Sequence, residues 1–333
     1  MNSEKMGQEP DRPFPDPLDV IGSSSTSAME ALVASGASAE LVRQSIARYV
    51  RGSQDIDCVG TGRFPSIKHE VANLPNHVVY EPKNLSDLGE LKMPVYVFGN
   101  GACSDDGATQ RQHLLEIASH GYLVIASGRI YSGAGVKLTA DDWLQHREKA
   151  SYTLLGEAIA WAIAENSRPG SPYRDRIDVA HIAASGYSCG GRQALRYADD
   201  PRVSTFVIMN TGLTEPNLDR TGEMAVSADM LDHVRVPILY VVGGPQDIAY
   251  DKGKGDFRRL TQVPSALISI NAGHQGTFSE ANGGAVAQAV VAWLEWQFRG
   301  DVKSAEWFTG STCRLCNDPA WEIERRNLQN IVA

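Results

Sequence analysis

From His77 onward, short apolar runs alternate with stretches of helical periodicity, and this rhythm limits the folds open to the chain more than any other feature. The runs His77–Tyr80, Pro94–Phe98, Tyr122–Ala126, His181–Ser185, Val203–Met209, Val236–Val242 and Ala266–Ile270 have the length of strands. Among them, Thr109–His120, Ala150–Glu165, Arg192–Ala198 and Ala285–Phe298 carry apolar residues in helical patterns. Strands separated by helices pair in parallel, because each crossover returns the chain to the same end of the sheet, and parallel sheets are covered on both faces. The expected fold class is therefore α/β, with a mostly parallel central sheet and helices on both faces. A length of 333 residues suits one large domain with extensions better than two independent domains.

The flanks read differently. Residues 1–26 are rich in Pro, Asp and Ser, offer little apolar surface to offset ordering entropy, and are expected to form a mobile tail. Residues 27–74 read as a helical N-terminal extension: Met29, Leu32, Val33, Leu41, Val42, Ile46 and Tyr49 suit one or two amphipathic helices interrupted near Gly36. Residues 300–333 form a Cys-containing C-terminal extension expected to pack on the domain. A net charge of −9 without a basic run argues against nucleic acid as a partner. No apolar segment approaches the roughly 20 residues needed to span a bilayer. Met1–Pro17 is charged and proline-rich, unlike a signal peptide, so the default placement is cytoplasmic, with secretion or a periplasmic location following only if a leader has been removed. Nothing in the residues announces an oligomeric state.

Cys58, Cys103, Cys189, Cys313 and Cys316 are an odd set, so at least one thiol has no partner within the chain. Cys313 and Cys316 have zinc-hairpin spacing, but no second C-x-x-C or H-x-x-x-H supplies the other two ligands, so no metal is expected. A local disulfide and two unpaired thiols remain equally open there. No Walker-type phosphate loop is present, and Gly133-Ala134-Gly135 lacks the strand–helix context of a dinucleotide site.

Gly186-Tyr187-Ser188-Cys189-Gly190 lies between the run ending at Ser185 and the helical stretch from Arg192. There a strand would turn sharply and expose a nucleophilic serine. A serine hydroxyl is a poor nucleophile unless an imidazole takes its proton and a carboxylate orients that imidazole. Asp247 follows the run Val236–Val242 and the turn Gly243-Gly244-Pro245-Gln246, and His274 follows the next run, Ala266–Ile270. The order Ser, Asp, His after three successive strand candidates predicts that all three project from one sheet edge. Asp251 and Asp219 are weaker candidates for the acid, while His113 and His120 sit on a helical stretch where solvent-facing or capping roles are expected. Only neutral imidazole accepts a proton, so turnover is expected to rise with pH as His274 deprotonates.

Acyl transfer also requires donors aimed at the developing oxyanion. The Cys189 amide is presented by the elbow at a helix start. The second donor is expected from Gly99-Asn100-Gly101-Ala102-Cys103, with the Ala102 amide as first choice. Cys189 reads first as a small elbow residue, and a Cys103–Cys189 bridge is a less favoured alternative. Val136–His146 and Leu213–Asp229 follow sheet strands, where either substrate walls or ordinary surface loops arise. Trp143, Trp161 and Tyr131 suit a pocket lining or, more readily, ordinary packing.

Phe98-Gly99-Asn100-Gly101-Ala102-Cys103, Gly186-Tyr187-Ser188-Cys189-Gly190-Gly191, the Asp247 turn and Gly273-His274 together resemble the α/β-hydrolase superfamily. The resemblance is nearest its dienelactone-hydrolase, platelet-activating-factor-acetylhydrolase and polyester-hydrolase-like branch and covers roughly residues 75–299. It implies an α/β-hydrolase fold and a serine esterase without metal or organic cofactor, acting on small-molecule or polymeric carboxylic esters. Asn100-Gly101 departs from the His-Gly of many relatives, and the tail Trp307–Asn327 is absent from the minimal fold. The expected function is ester hydrolysis through an acyl-enzyme. Lactone, thioester, amide or carbon–carbon hydrolysis and acyl transfer are alternatives on the same residues, and a non-catalytic binding homologue is a more distant one.

Overall fold

The computed structural model describes residues 56–134, 136, 149–213 and 226–331. Its strands are β1 (Ser66–His69), β2 (His77–Pro82), β3 (Met93–Gly99), β4 (Leu123–Ser127), β5 (Ile177–Tyr187), β6 (Thr205–Met209), β7 (Ile238–Val242), β8 (Ser265–Ile270) and β9 (Trp321–Arg326). They form one nine-stranded sheet in the order β1-β2-β4-β3-β5-β6-β7-β8-β9. β3 to β8 run parallel, while β1, β2 and β9 join through antiparallel pairs. The helices are α1 (Arg111–Ser119), α2 (Thr153–Ser167), α3 (Cys189–Leu195), α4 (Tyr250–Arg259), α5 (Gly284–Arg299), α6 (Val302–Ala305) and α7 (Arg314–Asn317). The expectation of an α/β fold with a mostly parallel sheet is met.

Strand side chains alternate between two cores because successive residues point to opposite faces. Val95, Val97, Leu123, Ile125, Phe206 and Ile208 face one core, closed by α2, α3 and α4. Tyr96, Phe98, Val124, Ala126, Val207 and Met209 face the other, closed by α1 and α5. Both faces being apolar explains why these strands read as continuous hydrophobic runs rather than alternating ones. Among the described residues no helix is long and apolar enough to cross a membrane.

The ends of the sheet correct the sequence reading. Residues 27–55 of the anticipated helical extension lie outside the described residues, as does the anticipated tail, but residues 56–74 contain β1 and no helix. β1 has a single large apolar residue, Ile67, because an edge strand of four residues needs to bury little. At the opposite edge, β9 pairs with β8 from Ser265↔Arg326 to Ile270↔Trp321, so part of the C-terminal extension belongs to the sheet itself. Phe308 is fully buried, with its ring 5.3 Å from Trp293 and 6.1 Å from Trp296 of α5. Burying a ring of that size contributes about 1.5–3 kcal/mol. His113, expected toward solvent, is instead fully buried between Phe98 and Phe278. Burial pushes its pKa down to about 3, leaving it a neutral packing element. His120 is partly exposed and pairs with Glu116 at 3.2 Å.

β3 lies between β4 and β5, and the helices that follow β3 and β5 cover opposite faces of the sheet. Departing chains therefore separate at the carboxyl ends of β3 and β5 and open a crevice, the place where ligands bind in open α/β sheets.

Candidate active site

Ser188 directly follows β5, with φ 52° and ψ −115°. An L-residue held there costs on the order of 1–3 kcal/mol, so its surroundings must over-determine it. The Ser188 amide donates to the Met209 carbonyl at 2.9 Å, and its own carbonyl accepts from the Gly191 amide at 3.1 Å. The turn packs hard against the end of β3: a Cβ on Gly190 would lie 1.9 Å from the Gly99 carbonyl oxygen. Only glycine permits this approach, which brings the start of α3 onto the loop Asn100–Ser104.

The acid comes from the turn after β7. The Asp247 amide donates to the Gly244 carbonyl at 2.9 Å, closing the turn and aiming a side chain with no solvent exposure inward. Its Oδ1 accepts from the Ala249 amide at 2.9 Å, and its Oδ2 from the Gly243 amide and Asn210 Nδ2, both at 2.9 Å. Burial pushes the Asp247 carboxyl up, but hydrogen bonds from His274 and the two amides outweigh it and hold the group below its ordinary value. It is thus an anion with its lone pairs filled.

His274 stands in the loop after β8, tied to the acid turn by a 2.7 Å bond from the Gly273 amide to the Gly243 carbonyl. Its Nδ1 lies 2.7 Å from Asp247 Oδ1 and its Nε2 lies 3.0 Å from Ser188 Oγ. An ionised carboxylate only accepts, so Nδ1 carries the proton and Nε2 is left to accept from the serine hydroxyl. The Tyr187 ring centroid lies 5.4 Å from the imidazole and 4.9 Å from the Phe278 ring. A Cβ on Gly101 would fall 2.3 Å from Tyr187 Cε1, so this ring also seats the loop after β3.

That loop is shaped by a fully buried Asn100, whose Nδ2 donates to the Ser104 carbonyl at 2.8 Å and the Ser127 carbonyl at 2.6 Å. Ala102 and Cys103 both have left-handed backbones, φ 56° and 52°. Cys103 is joined to Cys189 by a disulfide, the alternative that the sequence reading favoured less. Cys313 and Cys316 form the second disulfide, and Cys58 is the free thiol.

Ser188, Asp247 and His274 are therefore brought together, with Ala102 on the loop after β3 and Cys189 at the first residue of α3. Asp251 is exposed on α4, and Asp219 lies outside the described residues. Trp161 is buried in the core against Tyr173, Tyr131 is half-buried, and Trp143 falls outside the described residues. So do most of Val136–His146 and residues 214–225 of the second polar stretch. Asn210 was missed by sequence reasoning. Its Nδ2 also reaches the Gly273 carbonyl at 3.2 Å, so one amide clasps both the acid and the histidine loop. The available signal was a polar residue placed directly after the apolar run ending at Met209. No family model matches this sequence, and comparison with curated proteins finds no match.

Proposed function

We propose that this protein is a serine hydrolase of carboxylic esters, built on the α/β-hydrolase fold. The observation that carries the reading is His274 bridging Ser188 at 3.0 Å and Asp247 at 2.7 Å, with the serine at the apex of a left-handed turn. The proposed reaction starts with Ser188 Oγ attacking the ester carbonyl while His274 Nε2 takes its proton. The Cys189 and Ala102 amides are assigned to the resulting oxyanion. Collapse expels the alcohol, which receives the proton from His274, and leaves an acyl-Ser188 ester. Water then gives a proton to His274, attacks the acyl carbon, and releases the acid with Ser188 restored. Asp247 holds the ring in the required tautomer and stabilises its cation throughout.

The test is turnover of a p-nitrophenyl ester series of increasing acyl length, with and without an added alcohol acceptor. Multiple turnover by the wild type and its loss in Ser188→Ala is the expected result, since removing one half-buried hydroxyl at the sheet rim creates no core cavity. Near-normal turnover by that variant removes Ser188 from the reaction. Ester product formed with the added alcohol in place of free acid would change the reading to acyl transfer.

A further inference from the structure

We propose that the Cys103–Cys189 disulfide is a positioning element of this site, holding the two oxyanion-binding amides at a fixed separation; the inference rests on the ester-hydrolase reading above. The bridge joins positions 86 residues apart, on the loop leaving β3 and at the start of α3, two residues past the end of the neighbouring β5. One end is Cys189, whose own amide is one assigned donor. The other is Cys103, whose neighbour Ala102 carries the second. Both cysteines are buried, at 0% and 5% exposure, so the link is packed within the protein.

The backbone around the bridge explains why a covalent link matters there. Ala102, Cys103 and Ser188 have φ of 56°, 52° and 52°, three side-chain-bearing residues in a region that L-residues avoid. At about 1–3 kcal/mol each, that strain favours relaxation of both loops toward ordinary conformations. Hydrogen bonds restrain each loop: Asn100 Nδ2 holds Ser104, the Ala150 amide reaches the Cys103 carbonyl at 2.8 Å, and the Met209 carbonyl holds Ser188. The disulfide joins the two sides covalently, whereas Ala150 joins them only through hydrogen bonds, its carbonyl accepting from Gln193 Nε2 of α3 at 2.6 Å. The two sides also touch where Gly190 meets Gly99 and where Gly101 rests on the Tyr187 ring, but these are packing contacts that fix neither amide's direction. Without the bridge the fold is expected to persist while the Ala102 and Cys189 amides lose their common aim. Donors that act on the oxyanion alone affect the transition state and not the bound ester, so the loss belongs in kcat.

The experiment compares the wild type with Cys103→Ala/Cys189→Ala on p-nitrophenyl butyrate, together with the affinity for an alkyl boronic acid that forms a tetrahedral serine adduct. The expected result is a kcat lowered about 10–100-fold, in line with donor misplacement of about an ångström, and KM within about threefold. Boronate affinity should fall in parallel, while circular dichroism stays native. A kcat within twofold of wild type in the folded, bridge-free protein overturns the proposal, as does an equal effect on KM alone. Should the double variant fail to fold, the same comparison is made on Cys313→Ser/Cys316→Ser protein reduced with a phosphine, bridge opening being counted by thiol alkylation and mass. Unchanged turnover after opening overturns the proposal there too. Absence of ester turnover in the wild type would defeat the hydrolase reading and this inference with it. Turnover that ignores the bridge defeats this inference alone.

Discussion

The serine side of the candidate site and its acid–imidazole side are tied down differently. On the serine side, a disulfide joins the loop leaving β3 to the start of α3, beside a glycine-on-backbone contact and hydrogen bonds through Ala150. On the other side, Asp247, His274, Asn210 and the Gly243 and Gly273 backbones are joined by hydrogen bonds of 2.7–3.2 Å and no covalent link. The difference fits what each side would hold in the proposed reaction. Backbone donors aimed at a charge need a fixed frame, because a misplaced amide cannot swing back into position. An imidazole that, in the proposed reaction, serves first a serine and then a leaving alcohol needs its ring oriented but not immobilised. His274 accordingly keeps 22% of its side chain exposed while its acid has none.

Removing the groups that react should have the largest effects and apply to both sides equally. Ser188→Ala and His274→Ala are each expected to lower kcat by roughly 10⁴-fold or more, with Asp247→Ala somewhat below them. An Asp247→Ala variant with wild-type kcat would show that the hydrogen-bonded side does not orient the base. Opening the Cys103–Cys189 bridge comes next, at the 10–100-fold set out above. Asn210→Ala should follow with a loss of about 3–10-fold in kcat, because Asp247 retains three donors while one charge-assisted bond and the clasp on Gly273 are gone. A loss as large as that of Asp247→Ala would mean that the acid side, too, depends on a single tie.

The two disulfides themselves sharpen the contrast. Cys313–Cys316 closes the first turn of α7 at a sequence separation of 3, and Cys103–Cys189 spans 86. In the chain-entropy account they contribute about 2 and about 4–5 kcal/mol. Cys313→Ser/Cys316→Ser is therefore expected to leave kcat unchanged and to lower Tm less than loss of the long bridge does; steady-state kinetics and thermal melts check both.

The smallest expected effect concerns stability alone. Asp256 accepts from the Leu213 amide at 2.8 Å and the Tyr240 hydroxyl at 3.2 Å, just beyond the Asn210 turn. Burial raises its pKa from 3.8 to about 7, against the opposing hydrogen bonds. A group with a raised folded-state pKa contributes stability that is complete below about pH 4 and lost as pH climbs through 7. Asp256→Asn, which keeps an acceptor for Leu213, should gain stability relative to wild type across that window. Parallel urea-midpoint profiles for the two proteins would contradict this.

The central strands were legible because both faces of a parallel sheet are apolar, and the approach of Ser188, Asp247 and His274 was legible because each follows a strand of that sheet. The margins were not. β1 buries too little to register, and the alternation of Trp321 and Ile323 with Glu322 and Glu324 is the only trace of β9. α4 contains two glycines and four basic residues, which mask its helical pattern. His113 was misplaced because the faces of α1 cannot be ranked until α5 is known to cover one of them. The disulfide pairing stayed open for a similar reason. Whether Cys103 meets Cys189 depends on the distance between two loops 86 residues apart, which no local spacing encodes.

The most direct measurement is the reaction of the intact protein with a fluorophosphonate, followed by peptide mass mapping. The account predicts one adduct per chain, on the peptide carrying Ser188, absent from Ser188→Ala and formed far more slowly by His274→Ala. No adduct, or equal labelling of the wild type and Ser188→Ala, would contradict it.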